Sequence, residues 1–74
     1  MNINYEKKLG TNIRNLRIKS GLTQEQLAAK FQVYGCDITR SALAKIEVGQ
    51  RHIYPDEIKA LKEILNVKYE EIFV

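Results

Sequence analysis

Leu22-Thr23-Gln24-Glu25-Gln26-Leu27-Ala28 and, further on, Thr39-Arg40-Ser41-Ala42-Leu43-Ala44-Lys45-Ile46-Glu47-Val48-Gly49 are the stretches that decide the fold. Each opens on a threonine placed to cap a helix. Thr23 offers a side-chain oxygen to the free N–H groups of a first turn, and Gln26, three residues on, can reach back to the Thr23 N–H, which is the pattern of a capping box. Leu22 before the cap and Leu27 inside the helix can form a hydrophobic staple. Leu27, Ala28 and Phe31 share a face, and the spacing predicts a helix over 24–34 that Gly35 ends. Thr39 is a second N-cap. Ala42, Leu43 and Ile46 form the inward stripe of a helix predicted over about 39–48, and Gly49 stops it. Cys36-Asp37-Ile38 is the turn between them.

Working outward, Leu9, Ile13 and Leu16 lie at helical spacing and predict a helix from about Tyr5 to Ser20. Gly10 within it costs ~1 kcal/mol relative to Ala, which packing can offset. On the other side, Gln50 to Tyr54 reads as a loop. Pro55 is the first position of a fourth helix, with Asp56 and Glu57 at its positive end and Ile58, Leu61, Ile64 and Leu65 facing inward. Asn66 ends it, and Val67 to Val74 holds a last short turn or helix. No segment alternates as a strand does. The expected class is all-α, with about five helices in one domain over 1–74.

A chain of 74 residues supports one small core, which must come from helix packing, with or without dimerisation. One cysteine, Cys36, excludes an internal disulfide; with one histidine, His52, it also leaves no donor set for a zinc site. No metal and no cofactor are expected. No Ser/His/Asp or Cys/His set and no glycine-rich phosphate loop is present, so an enzyme is not expected. No stretch approaches the ~20 apolar residues of a membrane span, and no apolar run follows the N-terminus, so a cytoplasmic protein is expected. The net charge of +3 is unevenly spread: residues 1–51 carry nine Lys/Arg against four acids, and residues 52–74 carry three against five. A basic front suits a polyanion, although charge alone does not separate nucleic acid from an acidic protein.

Two capped helices joined by a short turn form a helix-turn-helix, whose second helix can enter a DNA major groove. Ala28 is the small residue needed where the helices cross, and Ile38 the apolar residue of the turn. Arg40, Ser41, Ala44 and Lys45 supply a polar, partly basic outer face. In these stretches the sequence resembles the Cro/repressor (Xre-like) family of helix-turn-helix regulators. The resemblance is carried by Asn12-Ile13-Arg14-Asn15-Leu16-Arg17, by Gly21-Leu22-Thr23-Gln24-Glu25-Gln26-Leu27-Ala28, by Ser41 to Arg51, and by Leu65-Asn66-Val67 with Glu71-Ile72-Phe73. It implies a compact five-helix repressor-like domain that binds double-stranded DNA.

Position by position, the resemblance implies that Gln24 touches a DNA phosphate, beside Thr23 and the free N–H groups of that helix start. Thr39, Arg40, Ser41 and Lys45 match positions that reach base edges, and Gln50 and Arg51 match a loop that grips phosphate. Arg17 and Glu47 match a structural ion pair. The chain is longer than most of the family around Gln32 to Asp37, so a longer second helix and a wider turn are expected. On an isolated helix, Arg40 and Lys45 would be ordinary solvated charges, and Ser41 an ordinary first-turn residue. A homodimer on a two-fold operator is expected, since one helix reads few bases. Tyr69, Ile72 and Phe73 are either its contact or the closure of the core. The other function class open to this sequence is a protein-interaction module on the same fold, an antitoxin-like or adaptor subunit with a protein partner.

Overall fold

The caps at Thr23 and Thr39 both form. In the computed structural model, which describes residues 2–74, five helices follow one another: α1 (Ile3–Lys19), α2 (Gln24–Val33), α3 (Arg40–Glu47), α4 (Pro55–Leu65) and α5 (Tyr69–Ile72). Met1, the start of the expected domain, lies outside the described residues. The described residues are all helix and loop. Thr23 Oγ1 accepts from Gln26 N at 3.1 Å while Thr23 N donates to Gln26 Oε1 at 2.9 Å, completing the capping box. Thr39 Oγ1 accepts from Ala42 N at 3.1 Å. The first helix begins two residues before its expected start because Asn2 caps it, accepting from Tyr5 N at 3.0 Å.

Leu9, Ile13, Leu27, Phe31, Ile38, Leu43, Ile46, Ile53, Leu61 and Ile72 meet in one buried cluster, so all five helices close on a common core. α1 packs on α3 and α5, and α2 on α3 and α4. The six residues Tyr34–Thr39 form the turn between α2 and α3. Ile38 is fully buried in it, as its apolar character requires. Gln32 donates from Nε2 to the Ile38 carbonyl at 2.9 Å and so satisfies a turn oxygen that no helix reaches. Cys36 is also buried, and burial, with the negative charges of Asp56 and Glu57, pushes its thiol up; such a thiol is chemically quiet.

Ile72, expected either at a dimer contact or in the core, takes the second place: it is fully buried inside one chain. Asn12 on α1 holds the strand of backbone that carries it, donating from Nδ2 to the carbonyls of Glu71 at 2.8 Å and Ile72 at 2.6 Å. None of the helices among the described residues is long and apolar enough to cross a membrane.

Candidate nucleic-acid interface

α3 has its apolar face sunk in the core and its other face bare. Leu43, Ile46 and Glu47 are buried, whereas Thr39, Arg40, Ser41, Lys45, Val48 and Gln50 are exposed. The four residues expected to reach bases are therefore all exposed, at the start and on the outer side of α3. Arg40 makes only a loose contact, Nε to Glu25 Oε1 at 3.8 Å, between two largely exposed side chains. Such a pair contributes little, and the guanidinium is free to be drawn elsewhere. Thr23, Gln24, Glu25 and Arg40 line one open cleft with Arg17, so the start of α2 and the start of α3 face the same space.

This surface is held from behind by a buried ion pair. Arg17 Nε donates to Glu47 Oε2 at 2.7 Å and Nη2 to Oε1 at 3.1 Å, a side-on fork that fixes angle as well as distance. The remaining Nη1 donates to the Leu22 carbonyl at 2.8 Å, and Gln24 Nε2 donates to Glu47 Oε1 at 3.0 Å. One carboxylate thus ties α1, the loop before α2, the first residue of α2 and the end of α3. Removing either member would leave a buried charge without its partner, a loss of ~3–5 kcal/mol. Gly10 lets α1 and α3 approach: a Cβ there would collide with the carbonyl oxygen of Ile46 and stand 2.9 Å from that of Glu47.

In the loop after α3, Arg51, expected to grip phosphate, is engaged within the chain. Its guanidinium turns inward, Nη1 to Glu57 Oε1 at 3.0 Å and Nη2 to Glu57 Oε2 at 3.1 Å, with Nη1 also donating to the His52 carbonyl at 2.8 Å. It lies 5.5 Å from the Tyr54 ring centroid as well. In this arrangement Arg51 sets the shape of the loop: three of its five N–H donors are engaged, both on Nη1 and one on Nη2. Glu57 further accepts from Tyr54 N at 2.9 Å, capping α4. Burial pushes the Glu57 carboxyl up, but the Arg51 fork, the Tyr54 N–H and the charges of Arg51 and His52 outweigh it and hold it below the usual carboxylate range. Gln50 stays exposed.

Sequence reasoning missed the Arg51–Glu57 fork and a contact between Glu6 and His52, 2.7 Å from Oε1 to Nδ1. The first was signalled in part by Pro55, which places Glu57 at the third helical position, where a carboxylate reaches back to the cap. The second carries no local signal. Of the three residues named for a dimer contact, Tyr69 and Phe73 are partly exposed, and Lys62 Nζ sits 5.3 Å from the Tyr69 ring centroid.

A capped helix, a turn with a buried isoleucine and a second helix laid outward across the first define a helix-turn-helix domain. The chain belongs to the Xre-like helix-turn-helix family of DNA-binding transcription regulators: residues 13–72 match the family described as Helix-turn-helix. Among its relatives is the control protein C.BamHI of Bacillus amyloliquefaciens, 30% identical over 73 residues, which cover 97% of this chain and 84% of that protein. The crystal structure of the restriction-modification controller protein C.AhdI from Aeromonas hydrophila superposes with a TM-score of 0.82 at 32% identity, covering 96% of both chains. The DNA-binding domain of BldD shares the fold, with a TM-score of 0.83 at 23% identity over the full length of both.

Proposed function

We propose that the protein binds a two-fold operator in double-stranded DNA as a homodimer, with α3 of each copy in the major groove. The observation that carries this reading is the bare face of α3, where Arg40, Ser41 and Lys45 stand exposed beside the capped start of α2 while Arg17–Glu47 fixes the angle behind them. Arg40 is the side chain suited to a bidentate contact with guanine, worth ~1–3 kcal/mol of discrimination. Thr39, Ser41 and Lys45 complete the base-reading set. Thr23, Gln24, Gln50 and the unpaired N–H groups at the start of α2 take phosphates. Arg51 acts mainly by holding the loop and by its positive field. The protein works in the cytoplasm, on DNA, and has no reaction of its own.

Tyr69 and Phe73 supply the apolar surface for a dimer contact. Cα extents of 29 × 23 × 21 Å are compatible with two copies side by side on half-sites one DNA turn, ~34 Å, apart. Two of the relatives are control proteins, one of them of a restriction-modification system, which supports regulation of the same kind here.

The test is selection from random duplexes, followed by titration at two salt concentrations, for wild type and for the Arg40→Ala/Lys45→Ala double variant. A symmetric site should emerge, and the variant, folded by circular dichroism, should lose preference for it while keeping weak, salt-sensitive binding. Absence of any selected site, with low affinity even at low salt, would sink the DNA reading and favour a protein partner.

A further inference from the structure

The loop after α3 contains one side chain that the reading above leaves unused. His52 Nδ1 lies 2.7 Å from Glu6 Oε1, across 46 residues of sequence, and joins this loop to the first turns of α1. The partners differ in setting: the Glu6 side chain is 10% exposed, that of His52 51%. A carboxylate offers only acceptors, so Nδ1 carries a hydrogen toward Glu6 and the tautomer is fixed. Ring geometry then puts Nε2 on the edge away from the buried carboxylate, and among the described residues it has no hydrogen-bond partner. In the neutral ring Nε2 is a lone pair. In the imidazolium it is a second N–H donor bearing positive charge.

The neighbours define what that charge meets. On α1 stand Glu6 and, against Gly49 at the head of the loop, Lys7. Within the loop, Tyr54 presents its ring at 70° to the imidazole with centroids 5.4 Å apart, and Arg51 donates to the His52 carbonyl. From α4 comes Glu57, whose carboxylate is occupied by the Arg51 fork. Arg51 is thereby paired with a buried carboxylate, and the protonated ring of His52 would add to the loop a donor that no carboxylate holds.

We propose that His52 is a proton-gated phosphate contact: held by Glu6, the protonated ring donates Nε2–H to a backbone phosphate of the bound duplex, and the neutral ring withdraws that donor. Glu6 is a positioning residue that acts through the imidazole. The inference rests on the DNA reading and adds to it a dependence on pH that comes from one side chain. His52 is the chain's only histidine.

The experiment measures binding of a random-sequence duplex of about 20 base pairs, at pH 6 and pH 8, each over a salt series. Non-specific binding is chosen because phosphate contacts dominate it. Wild type should bind about five- to tenfold tighter at pH 6, with a salt slope steeper by about 0.9, the value for one added phosphate contact. His52→Gln should remove most of this response. His52→Lys, a cation at both pH values, should bind at pH 8 as wild type does at pH 6. Glu6→Gln should shrink the response while His52 remains. Thermal melts establish that each variant is folded. An unchanged pH response in His52→Gln, or no gain at pH 8 in His52→Lys, overturns the proposal while the DNA reading stands. A wild type that binds no duplex at either pH overturns both.

Discussion

At the scale of single residues, the molecule spends its buried charges on position. Glu47 is 3% exposed and Glu57 6%, and each carboxylate is met by an arginine fork plus a further donor. Glu57 makes a testable case, because its carboxyl is held below the usual range in the folded state. A depressed folded value means that the unfolded chain takes up the proton first as pH falls. The stabilisation is complete above the unfolded value, about 4.3 for a glutamate, and is lost as pH drops through the folded one. Urea unfolding at pH 7 and pH 3 should show this acid limb in wild type and a flatter one in Glu57→Gln. That variant should also lose about 2 kcal/mol at pH 7, the scale of a charged hydrogen bond broken in a buried site. An acid limb unchanged by the substitution would show that other carboxylates produce it.

At the scale of elements, helices meet where side chains are smallest. Gly10 to Ala should gain ~1 kcal/mol of helix propensity in α1, yet the added Cβ runs into the backbone of Ile46 and Glu47. Backbone cannot swing aside as a flexible side chain can, so we expect a net loss of about 2 kcal/mol, read as a lower melting temperature. A higher one would mean that the α1–α3 crossing is looser than described. This position also marks the limit of what sequence tells. The starts of α2, α3 and α4 were legible because Thr23–Gln26, Thr39 and Pro55 act within one helical turn of themselves. The outward set Thr39, Arg40, Ser41 and Lys45 was legible because Leu43 and Ile46 fix which face is inward. The reason for Gly10 was not, since it lies in a backbone 36 residues away that only the folded crossing brings near. The Glu6–His52 contact, 46 residues apart, was hidden for the same reason: residue type says what a side chain can bind, and the fold says what it faces.

At the scale of the whole molecule, the dimer proposal makes its own prediction. Tyr69 and Phe73 are 43% and 42% exposed, so Phe73→Asp should leave the fold and its melting temperature nearly unchanged. Sedimentation should show a dimer for wild type and a monomer for the variant, and operator affinity should fall roughly a hundredfold as the avidity of two linked half-sites is lost. A variant that still sediments as a dimer would move the contact elsewhere. The same geometry gives α1 a role that its own side chains do not advertise. Gly10 and Arg17 fasten it to α3, Asn12 to the end of α5, and Glu6 to the loop. It joins α3, the helix proposed to read bases, to α5, which carries part of the proposed dimer contact. A helix advances about 1.5 Å per residue. If α1 slid by one residue against α3 in each copy of the proposed dimer, the two recognition helices would separate by at most about 3 Å, close to one base-pair step of roughly 3.4 Å. In the proposed dimer the accepted spacing of half-sites would therefore depend on how α1 is clamped to α3 and to α5, and a substitution far from any base would change the length of the operator.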